Sequence, residues 1–371
     1  MVLVSFAKGT IPLNAIKLNY YSVLCLNKYV FNILNILLQV ALMPGVSKVK
    51  KLSEFIILSL FISAAAGLPG CSTDRAKPST KLQVVTTLFP LYDFARIIGG
   101  QRAEVTMLLP PGMEPHSFEP KPNDIIRVSK AGLFIYTNRY MEPWAGTILK
   151  GLDRPQLRVV DAGQGVDYLK AVTADEHDHD HDHGGHQGDS HADGMDPHIW
   201  LDFGNAGLMV DNILTGFAAA DPANAAYYRA NAATLKRQLT ELDQRYRAGL
   251  QDCASRTFLH GGHYTFGYLA RRYGLEYRSL SGVSSESEPS AARMAAMVRQ
   301  IRSSGVRYLF AEELLSPRLS ETLADETGVT VLKLHGAHNL GRDDFQQGTG
   351  FIGLMEQNLV NLQKGLACRV K

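Results

Sequence analysis

Strand-like and helix-like segments alternate through most of this 371-residue chain, and the alternation runs twice, once on each side of a single long helix. In the first run, residues 82–87, 104–109, 133–137 and 157–160 read as strands. Helices are expected at 91–98, stopped by Gly99 and Gly100, and at 124–130, between Pro122 and Gly132. Asp221 and Pro222 then open a helix running to about residue 251, in which Leu235, Leu239, Leu242, Tyr246 and Leu250 keep three- and four-residue spacing. Some 30 residues at 1.5 Å rise make a rod of roughly 45 Å, long enough to span two lobes. The second run has strands at 257–259, 275–280, 306–310 and 329–334, with helices at 290–302 and 316–326 and a closing helix at 344–366. Strands separated by helices pair in parallel, so the chain is expected to be α/β, in two halves joined by one helix.

Hydrophobic residues at 45% and charged residues at 20% exclude wholesale disorder. The formal charge of +2 hides an uneven distribution, because residues 1–70 hold six lysines and one acid, Glu54. Residues 71–371 then carry 32 basic and 35 acidic side chains, which leaves no basic field for nucleic acid. Lys48, Lys50 and Lys51 precede the apolar run FIILSLFISAAA (55–66), too short for a membrane span but of signal-peptide length. The following LPGC (68–71) resembles the lipobox of bacterial lipoproteins, which makes Cys71 the lipidated first residue of the mature chain and 71–80 a polar tether. Met43 stands where a signal of ordinary length would begin, so 1–42 are expected to lie outside the native protein, the alternative being an extra membrane segment. Cys253 and Cys368 remain as an even pair in an oxidising compartment, open to a disulfide or to two buried thiols.

All twelve histidines follow residue 115, and they fall into two groups. His177, His179, His181, His183, His186 and His191 lie in an Asp- and Gly-rich tract at 176–192, expected to be a solvated loop that binds metal weakly or serves only solubility. Of the other six, four stand singly after expected strands, His116 in PPGMEPHSFEP (110–120), His198 in MDPHIWLD (195–202), His263 in HGGHYTFGY (260–268) and His335 in LHGAH (334–338), while His260 and His338 share the last two motifs. Ligands of open α/β sheets gather beyond the carboxyl ends of strands, so two histidines from each half would meet in a cleft.

From Leu82 to Leu366 the chain resembles the metal-binding, cluster A-I solute-binding proteins of bacterial ABC importers, and within them the zinc-binding branch. The resemblance rests on PPGMEPHSFEP, MDPHIWLD and HYTFGYLARRYG (263–274), in that order, with the acidic His-rich insert before the second motif. It implies two lobes, each a mostly parallel four-stranded sheet flanked by helices, at 81–220 and 253–371, joined by a rigid helix at 221–252. It further implies one metal between the lobes, with His116, His198 and His263 as ligands. The family commonly places Asp after the final strand, where this chain has His335; His335 is therefore the expected fourth ligand, with His338 as competitor and water as a third option. His260 is expected to play a structural part, and Glu312 to be a carboxylate near the cleft.

Three or four imidazoles favour tetrahedral Zn²⁺ over Mn²⁺, which prefers more carboxylate oxygen. A zinc hydrolase would need an open coordination position and a general base, and no HExxH motif occurs. A surface adhesin, a manganese receptor and a His-rich metal buffer are the remaining alternatives. The expected protein is a non-enzymatic, lipid-anchored, monomeric zinc receptor outside the cytoplasmic membrane. Its expected partner is an ABC permease driven by a separate ATPase, since the chain has no P-loop.

Overall fold

A computed structural model describes residues 81–171, 194–283, 289–314 and 316–369. These belong to one compact unit spanning Ser79–Lys371. The signal region, Cys71, the tether and all six histidines of the 177–191 tract lie outside the described residues.

The first lobe contains β1 (Leu82–Thr86), α1 (Phe89–Gly99), β2 (Ala103–Met107), α2 (Pro122–Lys130), β3 (Leu133–Tyr136), α3 (Pro143–Gly151), β4 (Arg158–Asp161) and α4 (Phe203–Ala220). The long helix α5 follows at Ala225–Gly249. The second lobe contains β5 (Thr257–His260), α6 (Gly267–Tyr273), β6 (Glu276–Ser279), α7 (Ala291–Ser304), β7 (Tyr308–Ala311), α8 (Arg318–Thr327) and β8 (Thr330–Lys333). It closes with α9 (Arg342–Gln346) and α10 (Phe351–Gly365). Strand order is β2-β1-β3-β4 in one sheet and β6-β5-β7-β8 in the other, every pairing parallel, so the lobes share one topology.

Two expectations about helices change. The 25 residues of α5 reach about 37 Å, because a 3₁₀ turn at Pro222–Asn224 takes the place of its expected first turn. The single closing helix is two: α9 ends at Gln346 and α10 starts at Phe351, with Gly348 at φ 73° and Gly350 as the α10 cap between them. Helix α4 at Phe203–Ala220 has no counterpart among the expected elements. There Asp202 caps α4 by accepting from the amides of Gly204 and Asn205.

The core is shared. One apolar cluster includes Val84 and Phe134 of the first sheet, Leu235, Leu242 and Tyr246 of α5, and Phe258 and Phe310 of the second sheet. A small separate cluster around Leu259, Met297, Ile301, Leu309 and Leu323 seals the far side of the second sheet. Polar contacts strengthen the junction. Arg272 of α6 donates to both carboxylate oxygens of Asp243 on α5, at 2.7 and 2.8 Å, and to Asp202 at the head of α4, at 2.7 Å. At the chain end Cys253 and Cys368 form a disulfide that ties the residues after α5 to those after α10.

Candidate metal centre

Four loops at the carboxyl ends of strands converge between the two sheets: the loop after β2 carries His116, the connection after β4 carries His198, the loop after β5 carries His263, and the turn after β8 carries His338. Ligand nitrogens of these four residues all lie within 4.8 Å of one another. His198 Nε2 stands 3.4 Å from His116 Nε2 and 3.4 Å from His263 Nε2. Nitrogens bound to one tetrahedral zinc at about 2.0–2.1 Å sit about 3.3–3.4 Å apart, so this spacing fits a shared ion. Three of the rings are buried, and His116 is partly exposed at the rim.

Sequence reasoning placed His335 fourth; the gathered group contains His338 in its stead. The backbone explains the difference. Leu334 and His335 still follow the second lobe, with the Leu334 amide donating to Ala311 O and the His335 amide to Asn358 Oδ1, so His335 belongs to that wall. Its Nδ1 lies 2.9 Å from Glu313 Oε1. The chain then turns through Gly336 and Ala337, the latter at φ 57°, and this turn delivers His338 to the cleft. A Cβ on Gly336 would come within 2.6 Å of the His338 ring, so the turn also needs a residue without a side chain.

Carboxyl groups stand behind two of the imidazoles. Asp196 Oδ1 lies 2.7 Å from His198 Nδ1 and also accepts from the His198 amide. Glu312 Oε1 lies 2.8 Å from His263 Nδ1 and accepts from the His263 amide at 2.9 Å. A carboxyl group beside Nδ1 holds each ring with Nε2 turned toward the other histidines. His260, buried beneath, has its Nδ1 3.2 Å from His263 O and its Nε2 3.8 Å from Glu312. Asp196 had a signal in the sequence, two residues before His198; Glu313 and Asn339 had none that pattern or spacing could supply.

Burial sets the protonation states. It pushes His263 and His260 down to about 4, and His198 and His338 well below the usual imidazole range, the neighbouring histidines adding to the effect on the last two. Burial likewise pushes Asp196 and Glu312 up to about 8. His198, His263 and His338 are therefore neutral imidazoles at neutral pH, the form that ligates metal. The Nε2 atoms of His338, His335 and His260 are all buried with no hydrogen-bond partner, and of the three only His338 belongs to the gathered group.

Residues 84–365 match the family model for the zinc-uptake complex component A, periplasmic, ZnuA. The chain belongs to that family. It is 35% identical over 317 residues to the high-affinity zinc uptake system protein ZnuA of Bacillus subtilis, covering 84% of this chain and 96% of that one. The zinc-binding lipoprotein AdcA of Streptococcus pneumoniae is 33% identical over 309 residues, and the match spans only 60% of its length. Among solved structures, the Zn(II)-bound ZnuA-like domain of S. pneumoniae AdcA superposes with a TM-score of 0.65 at 31% identity, covering 77% of this chain and 99% of that domain. Members of this family are solute-binding receptors and not enzymes.

Proposed function

We propose that this chain is an extracytoplasmic zinc receptor that captures Zn²⁺ between its lobes on His116, His198, His263 and His338. It then hands the ion to the membrane permease of an ABC importer powered by a separate ATPase. The observation that carries this reading is the meeting of four imidazoles, from four separate loops, with ligand atoms all within 4.8 Å and His198 Nε2 3.4 Å from both His116 Nε2 and His263 Nε2, the separation of two nitrogens on one tetrahedral ion. No carboxylate belongs to the gathered group, which favours zinc over manganese. A lipid on Cys71 holds the monomer at the membrane. In this reading residues 1–70 direct export, 71–80 tether, 81–220 and 253–371 form the lobes and 221–252 join them. The histidines from His177 to His191 collect zinc for the cleft.

A competitive chelator titration of the protein with Zn²⁺ and Mn²⁺ tests this, read through Trp200, whose ring lies 5.6 Å from His198 and 5.3 Å from His338. The expected result is one tight zinc site that persists in a variant lacking residues 176–192. His263→Ala and His338→Ala should each weaken it at least about 100-fold, while His335→Ala changes it by less than about tenfold. A protein that loses all tight zinc binding with the 176–192 tract would be a metal buffer, and the receptor reading would fall.

A further inference from the structure

The turn that carries His338 changes allegiance part-way along. Up to the amide of Gly336 its partners lie in its own lobe: Leu334 N donates to Ala311 O at 2.9 Å, His335 N to Asn358 Oδ1 at 2.7 Å, and Gly336 N to Glu313 Oε2 at 3.1 Å. Beyond it, Ala337 N folds back on His335 Nδ1 at 2.9 Å within the turn, and the partners outside the turn lie in the other lobe. Trp200 Nε1 donates to Gly336 O at 2.8 Å, Phe89 N to His338 O at 3.1 Å, and Gly112 N to Leu340 O at 2.7 Å. Asn339, fully buried, donates through Nδ2 to both Pro110 O at 2.7 Å and Met113 O at 2.9 Å, while its Oδ1 accepts from Leu340 N. The crossover falls at Ala337, the left-handed residue.

The two carbonyls that Asn339 holds belong to the loop that carries His116, the least buried of the four histidines. The loop of His263, by contrast, is fastened within its own lobe. Its amide reaches Glu312, Tyr277 Oη donates to its carbonyl at 3.1 Å, and Tyr264 N donates to Gly282 O at 2.8 Å.

We propose that Asn339 is a positioning residue for the metal centre. It clamps the His338 turn onto the His116 loop, so that His116, His198 and His338 form one body with the first lobe and His263 alone is carried by the second. The inference rests on the reading of His338 as a ligand. Three ligands held in place before the ion arrives lower the ordering cost of capture. A small displacement of the second lobe then withdraws one nitrogen of four, which gives release a defined first step.

Asn339→Asp keeps the shape and the acceptor for Leu340 N but removes both donated bonds, and Asn339→Ala removes the side chain. Both should speed zinc loss to excess chelator by about 10- to 100-fold. The visible spectrum of the Co²⁺-loaded variants should lose tetrahedral intensity, a change that general destabilisation would not produce. The His338→Ala protein is measured alongside. If it keeps wild-type zinc affinity and cobalt spectrum, the ligand reading falls, and the clamp with it. If it weakens while both Asn339 variants keep the wild-type rate and spectrum, the clamp alone is overturned. Hydrogen exchange on the unaltered protein covers the case in which the variants do not fold. Amides of 337–340 and of Gly112 and Met113 should be equally protected with and without zinc, while those of 261–266 gain protection on loading. Equal gains in both segments would overturn the clamp.

Discussion

Glu142 shows how a single side chain beneath the site can carry a pH dependence of its own. Its Oε1 accepts from the hydroxyls of Thr87 and Thr137, and its Oε2 from the amides of Thr137 and Asn138. Asn138 in turn donates to Pro197 O, next to His198. Burial raises the Glu142 carboxyl to about 7, against the pull of those four donors, so the folded state holds its proton more tightly than the unfolded chain does. Because the folded value is raised, the stabilisation is complete below the unfolded value near 4.5 and is lost as pH climbs toward 7. The loss is on the order of 3 kcal/mol. Urea unfolding of the wild type and Glu142→Gln at intervals from pH 4.5 to 8 should show the wild type losing that amount relative to the variant as pH rises, the buried histidines and other carboxyls contributing equally to both; a difference constant with pH would refute the assignment. At the same scale, the residues that meet in the cleft sat in motifs the sequence displayed, whereas the choice between His335 and His338 did not. It depends on one left-handed alanine and on which wall each flanking amide joins, and neither leaves a trace in composition or spacing.

Helix α4 marks where pattern reading of elements stops. Phe203, Ala206, Met209, Val210, Ile213 and Phe217 are buried along one stripe, but Leu208, Leu214, Ala218, Ala219 and Ala220 stand outside it, so the sequence shows no clean polar face. Gly204, Gly207 and Gly216 lower its propensity further. Gly216 has a packing reason: a Cβ there would come 2.3 Å from Val160 Cγ2 and 3.0 Å from Leu133 Cδ1, on β4 and β3. Gly216→Ala should therefore cost about 1–3 kcal/mol through overpacking, despite alanine being the better helix former. Thermal melting measures that loss, and zinc affinity should stay at the wild-type level, since the site lies beyond the opposite end of the helix, about 20 Å away along its axis. A rise in melting temperature would show that the helix has room to move off the sheet. The strands are easier to read than α4, because most are short, rich in Val, Leu, Ile and Phe, and bounded by turn residues or a helix. The break between α9 and α10 is not, because Phe345, Ile352, Met355 and Leu359 keep a helix-like spacing across it.

At the scale of the whole molecule, the pairing of two lobes with one strand order was legible as a pattern of alternation, and the shared core was not. Nothing in a linear sequence says that Phe134 and Phe310, in different sheets, will join one apolar cluster through the side chains of α5. The Arg272 contacts to Asp202 and Asp243 and the Cys253–Cys368 disulfide reinforce a joint that is already apolar.

That common core has a calorimetric consequence. A receptor whose lobes swing shut on their cargo removes apolar surface from water and binds with a markedly negative heat-capacity change. Here the apolar surface between the lobes is already buried, so seating an ion among four imidazoles has little left to dehydrate. The enthalpy of zinc binding should be nearly flat across a series of temperatures once buffer ionisation is subtracted. A steep slope would mean that the lobes part widely when empty, and the transporter would then have a change of shape to recognise; a flat one leaves it to sense the loaded receptor through charge and local order around the cleft.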